Sequence, residues 1–98
     1  MNDQVIAHYC EYNPRRYSRP WVCRMTERGE FDFKVKVGTY SANHGEEGDL
    51  IVYEPVDGQV YGYGKKDYRG SNTEIHFALW DGERFILCDK LGKVIDNE

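Results

Sequence analysis

The chain has 98 residues, 40% apolar and 31% charged, with a formal net charge of −4. That length suits one small domain, residues 1–98, and leaves no room for two independent cores. No apolar run approaches the roughly 18–20 residues of a membrane span, the start Met1-Asn2-Asp3-Gln4 carries no signal segment, and two Trp, four Phe and eight Tyr exclude a disordered chain.

The dominant hydrophobic period is two, the mark of strands with one buried face. Residues 4–12 fit a strand with Val5, Ala7 and Tyr9 on one side. Trp21, Cys23 and Met25 alternate with Val22, Arg24 and Thr26, and Phe31, Phe33, Val35 and Val37 alternate with Asp32, Lys34 and Lys36. Arg28-Gly29 lies between these runs, so 21–37 is predicted to be a hairpin. Asp57-Gly58 separates a strand over 50–53 from one over 60–63. Ile75, Phe77 and Leu79, then Asp81-Gly82, then Phe85 and Leu87 predict a second hairpin with a two-residue turn. Residues 89–96 suit a short helical turn or a last strand. The expectation is an all-β fold: a small antiparallel barrel or sandwich of SH3-like or OB-like size, with six to seven short strands.

Cys10, Cys23 and Cys88 make an odd set without short spacings, which fits reduced thiols better than a disulfide framework. His8, His44 and His76 are scattered; His8 and Cys10 share a strand face but form no four-ligand pattern. No metal and no cofactor is expected. Nucleophile, metalloprotease and phosphate-loop motifs are missing, Gly62-Tyr63-Gly64-Lys65-Lys66 lacking both the first glycine and the Ser or Thr of the last. The sequence therefore favours a binding protein over an enzyme.

Three long loops are predicted, over 13–20, 38–49 and 64–73, where function commonly resides. The net charge conceals an asymmetry between them. Residues 12–26 hold Arg15, Arg16, Arg19 and Arg24 and no acid, while 64–70 hold Lys65, Lys66 and Arg69 against Asp67 alone. Tyr17, Tyr61, Tyr63 and Tyr68 are interleaved with them. Arginine matches phosphate geometry and Tyr offers a stacking face, so the two segments would form one cationic, aromatic-lined pocket if the fold joined them. The candidate ligand or partner residues are Arg15, Arg16, Tyr17, Arg19, Lys65, Lys66, Tyr68, Arg69 and Asn72. The ordinary alternative is that these side chains are solvated surface. An acidic domain argues against broad nucleic-acid binding. Glu46, Glu47 and Asp49 form the densest acidic stretch, a candidate partner surface able to imitate a nucleic-acid backbone.

Asn13-Pro-Arg-Arg-Tyr-Ser-Arg-Pro-Trp21 and Tyr63-Gly-Lys-Lys-Asp-Tyr-Arg-Gly-Ser-Asn-Thr-Glu74 resemble a family of small, uncharacterised phage and prophage proteins of Gram-positive bacteria. The resemblance extends over about residues 9–80, and departs at Val56-Asp57-Gly58, where the family often has Pro-Gly-Asp. It implies a viral accessory protein acting in the host bacterial cytoplasm. The leading expectation is a non-enzymatic anti-defence protein that binds and blocks an immune effector, as anti-CRISPR proteins do. The second is a sponge for an anionic nucleotide signal, with the Arg, Lys and Tyr loops as its pocket and a homo-oligomer interface as its setting. The third is a structural or assembly protein of the virion.

Overall fold

The computed structural model describes residues 3–9, 19–41, 47–67 and 69–95. These residues form eight antiparallel strands and no helix, so none is long and apolar enough to cross a membrane. The strands are β1 (Gln4–Tyr9), β2 (Arg19–Met25), β3 (Phe31–Asp32), β4 (Gly38–Ser41), β5 (Gly48–Val52), β6 (Val60–Lys66), β7 (Asn72–Trp80) and β8 (Phe85–Cys88). Three of them form a sheet in the order β1-β5-β4, and five form a second in the order β3-β2-β6-β7-β8.

The main core lies between the sheets. Val52 of β5 meets Tyr61 and Trp80 of β6 and β7, and Ile6, Val22, Val37 and Phe85 pack around them. Phe85 stands 4.8 Å from Trp80 and edge-on to Tyr61, the offset geometry that aromatic quadrupoles favour. Tyr61 keeps its hydroxyl satisfied by accepting from the Val56 N–H at 3.1 Å.

The other face of the five-stranded sheet carries a second cluster. Strand alternation puts Trp21, Cys23, Met25, Gly62, Gly64, Phe77 and Cys88 there. The sheet curls over this face until Gly29, in the turn after β2, lies against Lys90 and Leu91 beyond β8. Cys23, Met25 and Cys88 are thereby buried.

Several sequence expectations are corrected. The 21–37 hairpin exists only as far as Asp32. The Asp32 carboxylate accepts from the Lys34 N–H at 3.1 Å and bends the chain, which then crosses to the other sheet as β4. The loop expected over 38–49 is in its described parts a strand pair, Tyr40 opposite Leu50. Around Asp81-Gly82 the loop has four residues, 81–84, because Asp81 accepts from the Glu83 and Arg84 N–H groups at 2.8 Å each. In β1 the register shifts between Val5 and Ala7, so Ile6 joins the core and Val5 stays exposed. Residues 89–92 form a turn tied by Asp89, and Val94 then bridges to Cys88.

The β2–β6 register sets a large residue against none: Trp21 opposite Gly64 and Cys23 opposite Gly62. A Cβ on Gly64 would stand 2.9 Å from the Thr73 carbonyl and 3.1 Å from Trp21 Cζ2, where backbone leaves no easy retreat. In an extended strand Gly→Ala ordinarily stabilises by stiffening the unfolded chain. Here Gly64→Ala is expected to cost about 1–3 kcal/mol in a urea titration. An unchanged or raised midpoint would mean that Trp21 does not lie over Gly64.

Candidate functional site: a basic end on an aromatic sheet face

The fold brings the two basic segments together. Arg19 opens β2 directly opposite Lys66 at the end of β6, and Lys66 is in turn opposite Asn72 at the start of β7. Residues facing each other across an antiparallel pair share a side of the sheet. Arg19, Lys66 and Asn72 therefore make one exposed row across three strands, about 10 Å wide from the usual strand spacing. The turn beyond it is built by Asp67, whose Oδ1 accepts from the Arg69 and Ser71 N–H groups at 2.9 Å each. Arg69 projects from that turn as an exposed residue.

Lys65 and Lys66 part company. Lys65 turns to the side of the three-stranded sheet, where its ammonium lies 4.6 Å over the Tyr9 ring and 3.4 Å from Glu74 Oε2. Its side chain is only 16% exposed. A β-bulge makes this possible: Tyr63 pairs with His76 and Lys65 with Thr73, so two residues of β7 face Gly64, and Glu74 adopts φ 50°. Lys65 thus ties the sheets together, whereas Lys66 is exposed on the aromatic side with its ammonium 5.8 Å from the Phe33 ring centre.

Phe33 belongs to a cluster the loop-and-tyrosine reading missed. Trp21 is edge-on to Phe31 and Phe33 at 5.5 and 5.4 Å, and Phe31 stacks on Phe77 at 6.0 Å. These rings sit in the hollow left by Gly62 and Gly64, yet Phe31 is 37% and Phe33 51% exposed. The signal in the sequence was the alternation of Tyr61 and Tyr63 with Gly62 and Gly64, one large face backed by one empty one. Tyr61 and Tyr63 themselves point away from the basic row. Tyr61 is buried in the main core, and Tyr63 packs on His76, burial pushing its hydroxyl pKa up. Tyr9, beneath Lys65, is pushed up to about 12 by burial.

Arg15, Arg16, Tyr17 and Tyr68 lie outside the described residues, as do Cys10 and Glu46. Among the described residues no group of His, Cys, Asp and Glu is arranged to hold a metal ion. Cys23 and Cys88 are free and buried, and burial raises both thiols to about 11. They are protonated at neutral pH and serve as small core residues rather than nucleophiles.

The acidic stretch has a different environment. His8 of β1 places Nδ1 2.8 Å from Asp49 Oδ1 and Nε2 2.8 Å from Glu47 Oε2. A neutral imidazole has one N–H, so both contacts are satisfied only by the imidazolium. The hydrogen bond to Asp49, then that to Glu47, raise the His8 pKa above its ordinary 6.5. Stability from this clamp is fully present below the unfolded pKa and is lost as pH rises through the raised folded one. An NMR titration is expected to place His8 above 6.5, and His8→Gln to remove that pH-dependent part of the thermal stability. A midpoint at or below 6.5 would show that the two carboxylates do not hold the ring.

Compared with protein-family models, with curated proteins and with solved structures, the chain matches none.

Proposed function

We propose that the protein acts by stoichiometric binding, capturing a small phosphate-bearing ligand at the basic end of the five-stranded sheet. The observation that carries this reading is the row Arg19, Lys66 and Asn72, drawn from both basic segments and set on one side of three adjacent strands. Two cations and an amide in a row suit phosphate oxygens, the guanidinium as a planar fork and the ammonium as a point charge. The carboxylates nearest in sequence are engaged elsewhere, Asp67 with its own turn and Glu74 with Lys65.

In the phage setting that the two boxes suggest, such capture would disarm a nucleotide immune signal in the host cytoplasm. We read the two sheets as a small sandwich, partly rolled on one side, of the SH3-like or OB-like size expected. Blocking a protein effector through an acidic face has less support, because Glu47 and Asp49 are both engaged by His8. Neither catalysis nor a virion role has a specific observation in its favour.

Calorimetry with tripolyphosphate and a panel of cyclic di- and trinucleotides tests the reading. Heat of binding is expected for the wild type, with a loss of about tenfold or more in affinity for Lys66→Ala and for Arg19→Ala, on the scale of a charge-assisted hydrogen bond. Silence with every ligand, together with co-purification of a host defence protein, would overturn it.

A further inference from the structure

The anion row does not stand alone on its face. One step of two residues along β2, about 7 Å, leads from Arg19 to Trp21, and the same step along β6 leads from Lys66 to Gly64, which Trp21 covers. Phe33 flanks Trp21 at 5.4 Å and lies under the Lys66 ammonium. The phosphate-binding groups and an exposed aromatic surface are therefore contiguous.

The natural complement of a half-exposed aromatic ring beside a cation is a flat, apolar group covalently joined to an anion. Resting on the anion-capture reading above, we propose that the ligand is a nucleobase-bearing phosphodiester, its phosphate on the Arg19–Lys66–Asn72 row and a base stacked on Phe33 beside Trp21. Sequence-tolerant binding of this kind combines a cationic track with aromatic platforms. The net charge of −4 opposes long polyanions and restricts the site to a short oligonucleotide, linear or cyclic.

Fluorescence anisotropy with labelled octathymidylate and with an abasic phosphodiester of equal length separates the base from the backbone. Octathymidylate is expected to bind about tenfold tighter or more, stacking supplying the difference. Phe33→Leu, which keeps the apolar volume and removes the ring, is expected to erase that difference, so that the variant binds the two labelled chains alike. Lys66→Ala is expected to weaken both and to reduce the salt slope by about 0.7. Competition by cyclic di-adenylate identifies the source: displacement at lower concentration than unlabelled octathymidylate marks a cyclic ligand, and the reverse order a linear strand. Equal binding of the two labelled chains would overturn the base platform while leaving the anion row intact. Failure of both, with tripolyphosphate also silent, would remove the anion row as well. A dimer in sedimentation that Phe33→Leu dissolves would assign the face to a second copy of the chain and overturn the proposal.

Discussion

Pairing of Trp21 with Gly64 and of Cys23 with Gly62 is the constraint on which the rest of the structure depends. Side chains alternate with a period of two, so a slip of one residue between β2 and β6 would carry Trp21 and Cys23 onto Tyr63 and Tyr61. The tyrosines would then lose the core they fill against Val52 and Trp80. Two glycines in a central strand forgo side-chain packing. Phe31, Trp21 and Met25 occupy the space they leave, which explains why both faces of this sheet carry apolar clusters. The same register leaves Arg19 no neighbour on β6 but Lys66. Juxtaposition of the two basic segments is thus a consequence of core packing rather than of attraction between them, since like charges placed directly opposite are unfavourable.

The acidic majority of the chain has a second use besides solubility. Asp67, Asp81 and Asp89 each turn a carboxylate oxygen onto backbone N–H groups of their own turn. Asp32 does the same for Lys34 while pairing with Arg24. Backbone hydrogen bonds hold Asp32, Asp81 and Asp89 below the usual carboxylate range. These acids act as local turn staples, the role for which Asp is favoured in loops. These four carboxylates are spread over separate turns, while Arg19 and Lys66 stand side by side at one end of the five-stranded sheet.

Alternation made most of the larger sheet legible: Trp21-x-Cys23-x-Met25 and Ile75-x-Phe77-x-Leu79 mark β2 and β7 because each has one strongly apolar side. It misled over 31–37, where the pattern persists through a change of sheet. Phe31 and Phe33 pack beside Trp21, Val37 packs in the main core, and only the Asp32 bend tells them apart. Strand β4 escaped notice because Gly-Thr-Tyr-Ser has no apolar alternation and is held by backbone pairing to β5. At the candidate site, charge alone singled out Arg19 and Lys66, but which lysine faces the aromatic side depends on strand phase and on a bulge, neither visible in composition. Of the tyrosines interleaved with the cations, Tyr61 and Tyr63 are out of phase with Lys66, beside which Phe33 lies, and Tyr17 and Tyr68 fall outside the described residues.

The central claim, that strand register builds the site, is tested most directly by cross-strand nuclear Overhauser effects in the uniformly labelled protein. The account predicts backbone contacts linking Arg19 with Lys66, Trp21 with Gly64 and Lys66 with Asn72. Contacts displaced by one residue, pairing Trp21 with Tyr63 or Lys65, would separate the basic row from the aromatic face and contradict the account.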